Sequence, residues 1–164
     1  MSVLKRSEVP VMETWNLDDL FTSEQAFDAA IDEVKAMASE IEVTLKGKIV
    51  DVTSAIKAIS SYENLYKKLI PISTYASLAH SVDQTSTDAQ MRVAKFGQVA
   101  SSIGAQLSFI TSELLALDEA VLNDAAENED YKNYIEKLVK QMKKPEFKKA
   151  RTEVLVDTGL LNVV

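Results

Sequence analysis

The chain has 164 residues, of which 46% are apolar, 26% charged and 7% aromatic, the profile of one soluble globular domain built around one core. A chain of this length buries roughly 70% of its unfolded surface on folding, so it needs no disulfide or metal to hold it together. With no cysteine and one histidine, His80, it is excluded from cysteine nucleophiles, thiolate zinc sites, iron–sulfur clusters and every site that needs two imidazoles. The formal charge of −7 is uneven: Lys132 to Arg151 carries net +6 and leaves −13 on the rest. No nucleic-acid motif surrounds that basic run, and cations complement the dipole at a helix end, so a solvated helix terminus is expected and no nucleic-acid partner.

Four glycines and three prolines leave little material for β-turns, which favours helix throughout. The opening segment to Pro10 is polar and is predicted to be extended, because proline pushes Val9 out of the helical region. Thr14-Trp15-Asn16-Leu17-Asp18-Asp19-Leu20-Phe21 follows, with Asn16 placed to cap a single turn and Trp15, Leu17, Leu20 and Phe21 available to pack. Residues 1–22 therefore read as a strap laid on the body.

From Ser23 the pattern turns helical, with Phe27, Ile31, Val34, Ala38, Ile41 and Leu45 at steps of three and four and Gly47 as the stop. A second helix starts near Asp51 or Thr53 and places Ile56, Ile59, Tyr62, Tyr66 and Leu69 on one stripe; Tyr62, Tyr66 and Tyr75 are candidates to line a groove, but aromatics at helical spacing are usually core. Pro71 is expected to kink or break it near Lys67 before the pattern resumes through Ile72, Tyr75 and Leu78. After a polar loop, Val93, Phe96, Ala100, Ile103, Leu107, Ile110, Leu114 and Leu117 mark a third long helix capped by Thr87 or Asp88. Gly97 and Gly104 lie seven apart beside that stripe, where a missing side chain lets another helix approach. A short piece, Ala120 to Ala125, precedes a fourth helix from about Asn128, with Tyr131, Tyr134, Ile135, Leu138 and Met142 inward and Pro145 as its end. The predicted fold is an all-α bundle of about four main antiparallel helices over residues 23–145, with an N-terminal extended strap and a tail, 146–164, that has a strand-like stretch and an apolar end.

Chemistry is sparse. His80 near Asp83 has the composition of a general base or pH switch, but a histidine at a helix C-terminus more often caps the last carbonyls. The adjacent carboxylates Asp18-Asp19, Asp32-Glu33 and Glu129-Asp130 point about 100° apart on a helix and make poor acid–base pairs. No Gly-rich phosphate loop is present. The expectation is no catalytic, no cofactor-binding and no metal-ligating residue in this chain. No run approaches a membrane span and no apolar signal core opens the chain, so the expected setting is the cytoplasm, with no membrane partner.

Arg6-Ser7-Glu8-Val9-Pro10 followed by Thr14 to Phe21 resembles the opening of bacterial oligoendopeptidase F, a zinc metallopeptidase of the thimet oligopeptidase superfamily. Lys46-Gly47-Lys48 resembles that family's turn after its first long helix. Tyr75-Ala76 with Leu78, Ser81, Asp83 and Thr85 resembles its Tyr-Ala…Asp-x-Thr segment, and Tyr131-x-x-Tyr134-Ile135-Glu136-Lys137-Leu138 its Tyr-x-x-Tyr-Leu-Glu helix. The resemblance runs over residues 6–142. It implies an intact enzyme that hydrolyses oligopeptides with zinc held by a His-Glu-x-x-His helix and a downstream glutamate, in which this region is one wall of a deep channel. That motif is missing, and Lys143-Lys144-Pro145-Glu146-Phe147 departs from the family's continuation.

The resemblance therefore implies an N-terminal non-catalytic domain or truncated form, inactive alone and without zinc of its own. Its partner would be the missing catalytic domain or a second copy, such as a two-fold dimer, with oligopeptide substrate bound only by the intact enzyme. The alternative from another class is a free-standing helical module for protein interaction or self-association.

Overall fold

A computed structural model describes residues 9–13 and 16–144 of the chain. Among these residues the fold is all-α, with no strand. Trp15 and the tail 146–164 lie outside the described residues.

Two short 3-10 turns, Val11–Glu13 and Leu17–Asp19, precede the helices. Asn16 opens the second of them, its amide donating to Asp19 Oδ1 at 2.8 Å. Six α-helices follow: α1 Glu24–Leu45, α2 Val52–Val82, α3 Thr87–Gln106, α4 Ser108–Ala116, α5 Glu119–Ala125 and α6 Lys132–Met142. Their contacts divide the chain into two compact units, one from Met1–Val43 with Ser61–Leu107, the other from Thr44–Ser60 with Ser108–Val164.

In the first unit α1 begins where Ser23 Oγ accepts the Ala26 N–H at 3.1 Å, the N-cap geometry. Phe27, Ile31, Val34, Ala38 and Ile41 are all buried, as the spacing predicts. Cross-helix pairs fix the directions. Phe27 meets Tyr75 with ring centroids 5.3 Å apart and Glu33 meets Lys68 at 2.9 Å, so α2 runs antiparallel to α1. Glu24 pairs with Arg92 at 2.6 Å, Asp28 with Lys95, and Glu42 with Gln106 at 2.8 Å, so α3 runs parallel to α1. The unit is an up-down-up arrangement whose outer seam sets acids of α1 against cations of α3.

Burial on α2 departs from the expected stripe. The covered positions are Ala55, Ala58, Ile59, Leu65, Ile72, Tyr75, Ala76 and Ala79, whereas Tyr62 and Tyr66 are 43% and 56% exposed. Ile59, Ile72 and Tyr75 of the expected stripe are buried, alanines complete the core face, and Tyr62 and Tyr66 turn outward. The helix also runs unbroken through Pro71. Proline removes one hydrogen bond and crowds the preceding turn, and buried Leu65 and Ile72 on either side hold the helix across it.

The third predicted helix is two helices. Leu107 leaves helical geometry at φ −97° and ψ 6°, with its N–H turned to Ile103 O and Ala105 O, and α4 starts afresh at Ser108. Apolar spacing is continuous through this point because Ile103, Leu107, Ile110, Leu114 and Leu117 are all buried, yet side-chain period does not require an unbroken backbone. Ser86, not Thr87 or Asp88, caps α3, accepting the Ala89 N–H.

In the second unit Gly47 ends the first helical run with φ +74°, a left-handed conformation that glycine takes without strain. Asp51 and Ser54 then cap α2 reciprocally: the Ser54 N–H donates to Asp51 Oδ1 at 2.8 Å and the Asp51 N–H to Ser54 Oγ at 3.0 Å. Helices α5 and α6 pack together, and α4 also touches α6. Ile135, Leu138 and Val139 are the buried face of α6, which starts at Lys132, four residues later than its pattern suggests.

Candidate functional site

The only histidine sits half-buried in the last turn of α2. Asp83 does not turn toward it. Its Oδ1 accepts the Thr85 hydroxyl at 2.7 Å and the Thr85 N–H at 2.9 Å, an Asx turn that carries the chain from α2 into the cap of α3. Those bonds, with the Thr85 hydroxyl first, hold the Asp83 carboxyl below its ordinary value. No hydrogen bond or ion pair joins His80 to Asp83 among the described residues, so the sequence pair is a turn and its neighbour, not a dyad.

Other polar groups are equally committed to structure. Glu113 on α4 accepts the Gly47 N–H at 2.8 Å and the Ile49 N–H at 3.4 Å, one carboxylate holding the turn after α1. Sequence gives no signal of this contact, since 66 residues separate Glu113 from Gly47. Arg92 lies over the Tyr75 ring, 5.4 Å from its centroid, while bonded to Glu24. Burial works against its charge, and the Glu24 bond and charge outweigh that effect, so the guanidinium is held above its ordinary value. No buried polar or charged residue occurs among the described ones.

A groove of about 290 Å³ lies in the first unit, between α2 and α3. Its α2 wall is Tyr62, Tyr66, Leu69, Ile70, Ser73 and Thr74, and its α3 wall Phe96, Ala100 and Gly104. Leu65 and Ile103, 1% and 4% exposed, form the floor. Both walls follow the i, i+4, i+7, i+8 rhythm of a helix face, so the groove runs along the helix axes. With Arg92 over Tyr75 and α2 antiparallel to α3, the Tyr62 end of α2 lies toward the Gly104 end of α3. The groove can bind apolar surface, and its lining holds no carboxylate, histidine or lysine. The clue in the sequence is the alanine stripe of α2, which takes the core and leaves the tyrosines outside.

No family model matches the chain, and no solved structure matches it. Two curated proteins do. Oligopeptidase PepF of Bacillus subtilis (strain 168) is 26% identical over 141 residues, 83% of this chain and 21% of that protein. The relationship is to oligoendopeptidase F, and it is partial. The chromosomal oligoendopeptidase F of Lactococcus lactis subsp. cremoris is 25% identical over 114 residues, 69% of this chain and 19% of that protein. The chain thus spans about a fifth of the length of these relatives. The zinc that an oligoendopeptidase implies does not fit the residues present: among the described ones no three His, Cys, Asp or Glu side chains are grouped to hold a metal. No described helix is long and apolar enough to cross a membrane.

Proposed function

We propose that this chain is the N-terminal, non-catalytic helical part of an oligoendopeptidase F-like zinc metallopeptidase whose intact form hydrolyses oligopeptides in the cytoplasm. The observation that carries this reading is the likeness over 83% of the chain to only 21% of a peptidase. Polar groups here act as caps, turn holders and ion pairs, which supports a scaffold role and leaves hydrolysis to residues outside this chain. Its partner is then the catalytic remainder. The deciding experiment is to sequence the source gene beyond the codon for Val164: the reading expects an open frame continuing to a His-Glu-x-x-His motif. A stop followed by unrelated sequence favours the second reading, a free-standing module that binds a partner or itself, for which the exposed groove between α2 and α3 is the specific support.

A further inference from the structure

Two features of the first unit are unexplained by its own packing. The groove between α2 and α3 exposes Tyr62, Tyr66 and Ile70 at 43%, 56% and 49% along about 18 Å of helix, from Tyr62 to Thr74. Gly104, in its α3 wall, has open space where a Cβ would stand, with no atom within 4 Å. A glycine within a helix weakens the helix, and nothing in this unit requires that one. A bare backbone beside two tyrosines along a groove between two helices matches an incoming helix, which needs close backbone approach at one point and apolar side chains around it.

The occupant follows from size. A stable dimer buries about 800 Å² on each partner, and a groove about 18 Å long and one helix diameter, about 10 Å, wide offers only about 200 Å². A second copy held by this groove alone falls short. The matched relatives extend for about four fifths of their length outside the shared segment, and a body of that size adds contacts beyond the groove.

We propose that the groove seats an apolar helix of the catalytic remainder, with Gly104 as the point of closest backbone approach. This rests on the reading of the chain as part of an oligoendopeptidase F-like enzyme. Gly97 supplies the control: it lies on the same helix, equally open, and does not line the groove.

The test compares Gly104→Leu and Gly97→Leu in the 164-residue chain and in the full product of its gene, by thermal unfolding and peptidase activity. In the 164-residue chain both substitutions fill open space with a better helix former, and each is expected to raise the midpoint by about 2–4 °C. In the full product Gly97→Leu raises it again, whereas Gly104→Leu lowers it, and Tyr66→Ser lowers it as well while leaving the 164-residue chain unchanged. A rise for Gly104→Leu in both proteins overturns the proposal and leaves the peptidase reading intact. A lowered midpoint already in the 164-residue chain, with light scattering showing loss of a species of twice 18.1 kDa, assigns the groove to a second copy and also overturns it. A gene product without peptidase activity overturns the parent reading instead, and the proposal with it.

Discussion

Phe27→Ala is the sharpest test of how the first unit is held. Phe27 is 0% exposed, and its ring lies 5.7 Å from that of Phe21 and 5.3 Å from that of Tyr75, centroid to centroid. Removing it strips a large aromatic from the core and leaves both neighbouring rings facing a cavity. The expected cost is about 3–5 kcal/mol, the range for truncating a buried aromatic, with the ring contacts placing it toward the upper end. For a chain of this size that lowers the thermal midpoint by roughly 6–20 °C. Urea titration followed by circular dichroism reads the free energy directly, with Tyr66→Ala as the comparison. Tyr66 is 56% exposed, so its loss is expected to stay within about 0.5 kcal/mol. A Phe27→Ala cost below about 1 kcal/mol, or equal costs at the two positions, refutes the assignment of Phe27 to the core and of Tyr66 to the surface.

Four further outcomes follow from particular contacts. Gly47→Ala forces a Cβ into φ +74° with no steric neighbour, so the penalty is purely conformational, about 1–2 kcal/mol, measurable by urea titration. Glu113→Ala frees the Gly47 and Ile49 N–H groups together, and hydrogen exchange at those two amides is expected to accelerate while α3 amides keep their protection. The carboxyls of Asp51 and Asp83 are held below their ordinary value in the folded chain, by hydrogen bonds from Ser54 and Thr85 respectively. A depressed folded value means stability that is complete above the unfolded value and lost as pH falls through the folded one, so the double variant Asp51→Asn, Asp83→Asn flattens the acid limb below about pH 4. Metal analysis after dialysis is expected to find no zinc bound one per chain, since a catalytic zinc needs three protein ligands.

Much of the fold is legible in the residues. Ser23 and the Phe27 to Leu45 stripe specify α1 because large apolar side chains and the hydrogen-bonding cap coincide with the helical period. On α2 the same reasoning finds Ile59, Ile72 and Tyr75 but misplaces Tyr62 and Tyr66: Ala55, Ala58, Ala76 and Ala79 bury little area each, yet they complete the core face, and the two tyrosines are left to line a groove. The break at Leu107 is invisible to periodicity because both sides of it bury the same apolar stripe. His80 and Asp83 look like a pair in sequence because spacing records proximity along the chain and not direction; Thr85, two residues on, is the partner Asp83 takes. Long-range contacts such as Glu113 with Gly47 have no local signature.

The central claim is that this chain is a scaffold whose chemistry belongs to a remainder of the protein. Hydrolysis of a fluorescence-quenched oligopeptide, measured side by side for the 164-residue chain and for the full product of its gene, tests it most directly. The expected result is no turnover by the 164-residue chain with or without added zinc, and turnover by the full product that a chelator abolishes. Turnover by the 164-residue chain alone would contradict it.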